Sequence, residues 1–356
     1  MWLWLAALVG LYYLVRWYRE RQVVSQLLDK FVFITGCDSG FGNLLARQLD
    51  WRGLRVLAAC LTEEGAEQLR RQTSDRVETV TLDVTKTESI AAAAQWVQER
   101  VGDRGLWGLV NNAGISMPVA PNEWLTKQDF VDVLNVNLLG TIEVTLSLLP
   151  AVRKARGRVV NVASFVGRLS LFGGGYCISK YGVEAFSDSL RRELSPFGVK
   201  VAIIEPGAFK TNLADPKRFM QSLRAAWECA GPEVRAIYGE DFLAACEHEV
   251  GSVVQVSVQA GPPLGDGLHG ARADRLPPPH PLLARLGRQA LLHPHELHAH
   301  LPGGRHHSLV FPEASPGPVK PCPGHQVVQS WALREEKGGW GRSPVSFCPS
   351  PGIFLC

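Results

Sequence analysis

The chain has 356 residues, 46% of them hydrophobic, and a net charge of +3 from 37 basic and 34 acidic side chains. This length fits one large domain or two small ones, the composition excludes a wholly disordered chain, and the balanced charge gives no basic field for nucleic acid. Residues 251–356 differ from the rest, because they hold 16 of the 23 Pro and 9 of the 10 His. We therefore expect the folded domain to lie before residue 251.

An uncharged apolar run, residues 2–15, opens the chain. As a helix it would span about 21 Å, which is short of the roughly 30 Å hydrocarbon core, but Arg16 and the aromatic residues after it suit the interface. A cleaved signal peptide is the alternative. It fits poorly, because RWYRERQ (16–22) stands where small residues should mark a cleavage site. We expect residues 1–22 to be a retained membrane anchor, with the body of the protein in the cytosol by the positive-inside rule.

Residues 23–250 alternate short apolar segments with longer segments of helical periodicity. This alternation predicts a single α/β domain of Rossmann type, with a doubly wound parallel sheet covered by helices on both faces. The predicted strands are 31–35, 54–59, 77–82, 106–110, 158–163 and 199–204. The predicted helices are 41–52, 63–72, 86–101, 127–154 and 175–195.

The first predicted strand runs into TGCDSGFG (35–42), which is followed by a helix. Glycine lets the backbone turn sharply and approach a pyrophosphate, whose charge a helix N-terminus favours, so this setting predicts a dinucleotide site. The end of the second strand, AACL (58–61), has neither the acid of an NAD site nor the arginine of an NADP site. Asp38 in the loop would repel a ribose 2′-phosphate, so we expect NAD rather than NADP.

Two further segments follow predicted strands and would face the same crevice. Asp83, after the third strand, fits either a hydrogen bond to an adenine amino group or an N-cap for residues 85–88. NNAG (111–114), after the fourth strand, fits either a cofactor contact or an ordinary turn.

The predicted chemistry rests on Ser164, Tyr176 and Lys180. Ser164 ends the fifth predicted strand, while Tyr176 and Lys180 stand one helical turn apart and so share a face of the next helix. A nearby ammonium group lowers the pKa of a phenol, so we expect Tyr176 to act as a base towards an alcohol or as an acid towards a carbonyl. Ser164 would hydrogen-bond the same substrate oxygen as charge develops on it.

TGCDSGFG, NNAG, LNVNLLG, the Ser164–Tyr176–Lys180 set and EPG together resemble the short-chain dehydrogenase/reductase family. The longer strings FVFITGCDSGFG and GGGYCISKYGVEAFSDSLRREL are similar to its branch of microsomal retinol and 3α/17β-hydroxysteroid dehydrogenases. The resemblance implies that Tyr176 is the acid/base, that Lys180 lowers its pKa and binds the nicotinamide ribose, and that Ser164 positions the substrate oxygen. It also implies that Asn137 holds a proton-relay water.

The resemblance also implies a set of cofactor-binding residues. They are Gly36, Asp38, Ser39, Gly40, Phe41, Gly42, Asp83, Asn112, Ala113, Gly114, Tyr176, Lys180, Pro206, Gly207 and Thr211.

The activity that the resemblance implies is oxidation of a lipophilic alcohol, a hydroxysteroid or retinol, with NAD. It would take place at the endoplasmic reticulum membrane, in a chain that pairs as a homodimer. We expect no nucleic-acid partner and no metal, because the eight Cys form no metal-ligand spacing and are expected to be reduced, with Cys37, Cys60 and Cys177 in the core.

Residues 208–250 have apolar spacing that fits either a cover over a lipophilic substrate or plain core helices. For residues 251–356 we consider a disordered extension, a histidine-rich metal tract, and a segment translated out of frame. The metal tract is disfavoured because it lacks HExxH spacing. The out-of-frame interpretation rests on residues 268–275 and 277–289, which resemble the family's coding sequence read one base out of register. The last strand and part of the substrate wall would then be lost, and the alternative function is a catalytically silent membrane protein that binds lipid or a partner.

Overall fold

The computed structural model describes residues 26–207, 213 and 215–260, together with Trp4 and residues 10–15, with side chains up to residue 248. Most of the predicted anchor, residues 1–22, therefore lies outside the described residues. The tail from residue 261 onwards lies outside them entirely, so its three interpretations stay predictions.

Six parallel strands form one sheet with the order β3-β2-β1-β4-β5-β6. The strands are β1 (Phe31–Thr35), β2 (Arg55–Cys60), β3 (Val77–Thr81), β4 (Gly108–Asn111), β5 (Arg158–Val162) and β6 (Lys200–Ile204). The strand order reverses between β1 and β4, whose registered pairs include Val32 with Gly108. The crevice beyond the carboxyl ends of these two strands is where such sheets bind ligands. The predicted doubly wound sheet is confirmed.

Helices cover both faces of the sheet. They are α1 (Gly40–Trp51), α2 (Glu63–Arg70), α3 (Thr87–Val101), α4 (Lys127–Leu134), α5 (Gly140–Lys154), α6 (Gly175–Leu194), α7 (Pro216–Cys229) and α8 (Pro232–Ala260). Successive residues of β1 serve opposite faces, as the two-residue period of a strand requires. Phe33 belongs to the core cluster that includes Leu148 of α5, while Ile34 belongs to the cluster that includes Leu45 of α1.

The helix predicted at 127–154 is interrupted. A π-helical turn, Asn135–Leu139, joins α4 to α5. One extra residue in a turn barely disturbs apolar periodicity, which is why the sequence did not reveal it, and such turns are frequent at functional sites. Among the described residues, the segment Lys127–Lys154, with its π-helical turn included, is also the one helical segment with the length and mean hydropathy (1.4) of a membrane span. The packing of α5 in the sheet core accounts for that apolar composition.

Strand β6 lies at the edge of the sheet as far as the structure is described. It pairs with β5 through contacts such as Val162 with Ile204, and the chain then continues as α7 and α8 rather than as a seventh described strand. Helix α8 contains a break at Gly239, with φ 76° and ψ 162°.

Candidate active site

The glycine-rich loop between β1 and α1 is packed tightly against the end of β4. A Cβ at Gly36 would lie 2.8 Å from Cα of Ala113, and one at Gly42 would lie 2.3 Å from the carbonyl oxygen of Gly36. Close packing within the protein therefore requires glycine at both positions. At Gly40, where φ is +62°, a Cβ would meet nothing within 4 Å. The loop is thus closed on its inner side and open on its outer side.

Helix α1 begins at this open side without a side-chain cap. Its N-cap residue Ser39 makes no side-chain hydrogen bond to the first turn, and that turn, which includes Phe41, contains no acidic residue. Helix N-termini attract anions through their N–H groups and dipole. An uncapped N-terminus beside the open face of Gly40 therefore fits the pyrophosphate of a dinucleotide.

Asn112 locks the ends of β1 and β4 together. Its Nδ2 donates hydrogen bonds to the carbonyl oxygens of Thr35 (2.9 Å) and Gly36 (3.0 Å). In return, Oγ1 of Thr35 accepts the backbone N–H groups of Asn112 and Ala113, both at 3.0 Å. The structure therefore gives Asn112 a defined role in shaping the loop. Thr35 was not singled out from the sequence, although a hydroxyl at the end of an apolar strand was a usable signal.

The side chain of Asp38 extends from the loop between β1 and α1 to the end of β2. Its carboxylate accepts the N–H of Leu61 at 2.8 Å and both the N–H (3.0 Å) and the hydroxyl (2.9 Å) of Thr62. In Rossmann folds an acid near the end of the second strand binds the adenosine ribose hydroxyls. The sequence of β2 lacks that acid, and Asp38 brings a carboxylate to the same place from the loop.

Asp83 is engaged by its own segment. One carboxylate oxygen accepts the N–H (3.0 Å) and the hydroxyl (2.7 Å) of Thr85, and the other lies 3.2 Å from Nζ of Lys86. These hydrogen bonds lower the pKa of Asp83. The N-cap of α3 is Lys86, without a side-chain cap, so Asp83 does not cap this helix and instead holds the turn that precedes it.

The structure brings Ser164, Tyr176 and Lys180 together. Ser164 follows β5 and accepts the N–H of Val166 at 3.4 Å at the start of a short 3-10 turn. Tyr176 lies in the first turn of α6, where the side chain of Ser164 acts on its phenol group and lowers its pKa. Nζ of Lys180 lies 5.7 Å from the centroid of the Tyr176 ring and donates to the carbonyl oxygen of Val162 at 2.8 Å. All three side chains therefore converge at the carboxyl end of β5.

The pKa of Tyr176 moves opposite to the sequence-based expectation. Burial raises the pKa of Tyr176 to about 12, and the side chain of Ser164 lowers it by a smaller amount. Burial also lowers the pKa of Lys180 to about 8, opposed by the charge of Glu184. The expectation of a lowered Tyr176 pKa is thus wrong for this structure, because desolvation of the phenolate outweighs an ammonium that is directed at Val162. Tyr176 is a neutral phenol at physiological pH.

Asn137 lies buried in the π-helical turn and joins two parts of the site. Its Oδ1 accepts the N–H of Ile115 at 2.8 Å, and its Nδ2 donates to the carbonyl of Ile115 (2.8 Å) and to the hydroxyl of Ser179 (3.0 Å). Ser179 in turn donates to the carbonyl of Tyr176 at 2.6 Å. A Cβ at Gly114 would lie 3.2 Å from Oδ1 of Asn137 and 3.8 Å from Nζ of Lys180. Glycine at position 114 therefore leaves the space beside these two groups open.

A buried polar network that was not predicted supports this arrangement from inside the core. Nδ2 of Asn111 donates to Oγ1 of Thr145 and to Oδ1 of Asn161, both at 2.8 Å. Asn161 continues the network to Ser187 at 2.8 Å, and Thr145 donates to the carbonyl of Thr141 at 2.7 Å. The network thus links β4, β5, α5 and α6. Single polar residues inside apolar strands carry no periodic signal, so the sequence did not reveal it.

The remaining predicted positions are only partly described. Pro206 lies beside the Ser164 turn, since its carbonyl accepts the N–H of Phe165 at 3.1 Å, and Gly207 follows it. Thr211 lies outside the described residues. Trp227 packs against Trp124 with ring centroids 4.8 Å apart, which matches the core-helix alternative for this part of α7.

Within the part of the chain that the structure describes, no group of three His, Cys, Asp or Glu residues could hold a metal ion. Cys37, Cys60 and Cys177 are buried free thiols there, as predicted.

The short chain dehydrogenase family matches residues 30–222. Human retinol dehydrogenase 16 is 77% identical over 244 residues, covering 68% of this chain and 77% of the relative. Human 17-beta-hydroxysteroid dehydrogenase type 6 is 67% identical over 243 residues, with the same coverage of 68% and 77%. Levodione reductase, a crystal structure, shares 25% identity at a TM-score of 0.52 and covers 65% of this chain and 93% of its own.

These similarities give no support to the alternative of a catalytically silent protein, because the relatives are dehydrogenases and the family match spans both strand ends at the switch point. The uncapped N-terminus of α1 and the open face of Gly40 fit the nicotinamide dinucleotide that this chemistry requires. The chain belongs to the short-chain dehydrogenase family and is an alcohol oxidoreductase that uses a nicotinamide cofactor.

Proposed function

We propose that this protein oxidises the hydroxyl group of a lipophilic alcohol, a 3α/17β-hydroxysteroid or retinol, with NAD as the hydride acceptor. The observation that carries the proposal is the convergence of Ser164, Tyr176 and Lys180 at the carboxyl end of β5, with Nζ of Lys180 5.7 Å from the Tyr176 ring centroid. The substrate class is supported by the relatives, which are named retinol dehydrogenase and 17-beta-hydroxysteroid dehydrogenase.

Tyr176 accepts the hydroxyl proton while the carbinol carbon gives up a hydride. To do so the phenol must first lose its own proton, which burial opposes because it raises the pKa to about 12. The Lys180 ammonium favours that loss, since a nearby positive charge stabilises phenolate. In the reverse direction the neutral phenol is already the acid that a carbonyl oxygen needs.

Ser164 and Asn137 have supporting roles in this proposal. The Ser164 hydroxyl, beside that of Tyr176, holds the reacting oxygen of the substrate. Both N–H groups of the Asn137 amide are used by Ile115 and Ser179. A relay water at Asn137 is therefore held through an oxygen acceptor of this residue, the side-chain Oδ1 or the backbone carbonyl.

The cofactor supplies the hydride acceptor, and the crevice beyond β1 and β4 would hold it. Asp38 supports NAD over NADP, because its carboxylate beyond β2 can accept ribose hydroxyls and would repel a 2′-phosphate. Asp38, Tyr176 and Lys180 belong to the proposed cofactor-binding residues, and we assign the other members of this set to parts of the cofactor. The pyrophosphate would contact Gly36, Ser39, Gly40, Phe41 and Gly42, and the adenine would contact Asp83. The adenosine ribose region would contact Asn112, Ala113 and Gly114. The nicotinamide side would contact Pro206, Gly207 and Thr211.

We further propose that residues 1–22 anchor the protein in the endoplasmic reticulum membrane with its dehydrogenase domain, residues 23–250, in the cytosol. Helical residues 10–15 support an anchor, since Leu11 and Leu14 are 56% and 60% exposed and burial in lipid would remove this apolar surface from water. A homodimer is supported by exposed apolar side chains on two helices, Leu146 of α5 and Ile178 of α6, which are 54% and 52% exposed.

We also propose that residues 208–250 cover the substrate in addition to the core packing of Trp227, and that residues 251–356, the first ten of which continue helix α8, arise from a shift of reading frame. Sequencing of independent transcripts tests the tail. Codons for 251–356 that are in frame and intact in every transcript would contradict the frameshift.

The activity is tested by NADH formation in membranes that contain the full chain, supplied with a 3α-hydroxysteroid and retinol in parallel. Tyr176→Phe is the blank, and we expect it to lower turnover about 10²–10⁴-fold because it removes the acid/base. Tyr181→Phe is the matched control, since Tyr181 is on the same helix but 43% exposed. Equal rates for the blank and the unaltered chain would overturn the proposal.

A further inference from the structure

Three charged side chains meet between the catalytic helix α6 and the segment that follows β6. Nη2 of Arg168 donates to Oε2 of Glu184 at 2.7 Å, and its Nε donates to Oε1 of Glu205 at 2.9 Å. The side chains of Glu184 and Glu205 are only 4% and 8% exposed. One guanidinium group therefore serves two buried carboxyl groups.

This charge balance is unfavourable if both carboxyl groups are ionised, because like charges in a buried site repel each other. Oε1 of Glu184 is buried and has no hydrogen-bond partner within the described part of the chain. A proton on one carboxyl group relieves both problems, since a protonated carboxyl can donate to the other. Burial and the neighbouring Glu205 accordingly raise the pKa of Glu184 to about 8, against the effect of Arg168.

The same helix connects Glu184 to the proposed catalytic lysine. Lys180 precedes Glu184 by one turn, and a negative charge on Glu184 raises the pKa of Lys180 against the effect of burial. A Cβ at Gly167 would lie 3.1 Å from the carbonyl oxygen of Lys180 and 3.3 Å from Cγ of Glu184. The turn that carries Arg168 is thus packed directly onto both residues. The other charged group that acts on Glu184 is Asp188, one turn further along α6, which pairs with Arg191.

We propose that Glu184 carries a proton at neutral pH, in a cluster where Arg168 bonds both Glu184 and Glu205, and that Glu184 is a positioning residue for Lys180. When alkaline pH removes this proton, the new negative charge on Glu184 favours the ammonium form of Lys180 and so opposes its loss of charge. This inference rests on the proposed function only in that the Lys180 charge serves Tyr176. A buried lysine without this compensation would become neutral as the pH rises, and its help to the phenolate would be lost.

The test is the pH profile of NADH formation by the full chain in membranes, with Glu184→Gln and Glu205→Gln. Glu184→Gln resembles the protonated form, so we expect near-normal rates at pH 7 and an alkaline limb that falls about one pH unit earlier. Glu205→Gln removes the like charge, so Glu184 ionises at lower pH and the alkaline limb moves to higher pH. Glu184→Asp keeps the charge and should restore part of the alkaline activity.

We expect the alkaline limb of the pH profile to move to lower pH in Glu184→Gln and to higher pH in Glu205→Gln. An equal loss of rate at every pH in both variants would indicate a merely structural role and would overturn the inference.

A second measurement is independent of activity: the Tm of the detergent-solubilised full chain, wild type and Glu184→Gln, from pH 5 to 8. A carboxyl group whose pKa is raised by folding stabilises the protein at low pH and loses that contribution as the pH rises through the folded pKa. We therefore expect the Tm of the wild type to fall relative to that of the variant over this range. A Tm difference between the wild type and Glu184→Gln that stays constant from pH 5 to 8 would overturn the proposed proton on Glu184. Absent turnover on both alcohols would instead overturn the proposed function and leave this measurement intact.

Discussion

Asp38, in the loop after β1, accepts the backbone N–H of Thr62, which lies 24 positions further along the chain and beyond the end of β2. A second bond from the Thr62 hydroxyl and a third from Leu61 fix the carboxylate in place. The loop after β1 therefore places a carboxylate near the end of the second strand, where Rossmann folds hold the acid that binds the ribose hydroxyls. Cofactor preference in this protein should depend on residue 38 rather than on the sequence of β2.

Removal of this charge should relax the preference for NAD. In Asp38→Asn the repulsion of a 2′-phosphate is lost, so the ratio of kcat/KM for NAD over NADP should fall at least about tenfold, which corresponds to about 1.4 kcal/mol. Initial rates with both cofactors measure this ratio. Asp103→Asn is the control, because the Asp103 side chain is fully exposed on the surface. An unchanged ratio in Asp38→Asn would contradict the role of Asp38.

Position 114 should tolerate no side chain. A Cβ there would lie 3.2 Å from Oδ1 of Asn137, closer than most real Cβ contacts, and 3.8 Å from Nζ of Lys180. Gly114→Ala should therefore lower kcat about tenfold or more by shifting these two groups. Gly231→Ala is the matched control, because a Cβ at Gly231 would meet nothing within 4 Å. Steady-state kinetics measure kcat for both variants. Equal kcat values for Gly114→Ala and Gly231→Ala would show that the space beside Gly114 is not used.

The buried network between β4 and α5 should be a large local contribution to stability. Thr145→Val removes the acceptor for Asn111 and the donor to Thr141, so buried polar atoms lose partners at a cost of about 1–3 kcal/mol. For a domain of this size the Tm should fall by several degrees. Thr87→Val, at an exposed position, serves as the comparison in thermal unfolding. Similar Tm values for the two variants would argue against the network.

Lys180 should destabilise the folded protein at neutral pH. Burial lowers its pKa to about 8, so the charged form is disfavoured in the folded state relative to the unfolded state. That cost is present at pH 7 and disappears as the pH rises above 8, because the lysine then becomes neutral in the folded protein. Lys180→Met should therefore raise the Tm by a few degrees at pH 7 and by less at pH 9, while it abolishes turnover. A Tm gain that is equal at both pH values would contradict this assignment.

The pH dependence of the reaction should differ between its two directions. Because burial raises the pKa of Tyr176 to about 12, the phenol is protonated across the neutral range. Carbonyl reduction, which uses the protonated form, should vary little between pH 6 and about 8, whereas alcohol oxidation should accelerate as the pH rises. Rates in both directions on the same preparation test this. Oxidation that is fastest at acidic pH would contradict Tyr176 as the acid/base.

The fold of this protein could be predicted because its buried strands are covered on both faces. Segments such as Phe31–Thr35 and Arg55–Cys60 must then be largely apolar, which separates them from the amphipathic helices between them. The glycines at positions 36 and 42 and the spacing of Tyr176 and Lys180 were equally visible, because local backbone geometry and helical periodicity act over a few residues.

The tertiary structure alone decided how distant segments meet and how much water they exclude. Three contacts join residues that no sequence period relates. They are the hydrogen bond from Thr62 to Asp38, the hydrogen bond from Ile115 to Asn137, and the ion pairs of Arg168 with Glu184 and Glu205. The direction of the Tyr176 pKa shift was decided in the same way, since desolvation depends on what packs around a side chain rather than on its neighbours in sequence. The sequence by itself thus determined the elements and the candidate chemistry, and folding determined the charges with which that chemistry operates.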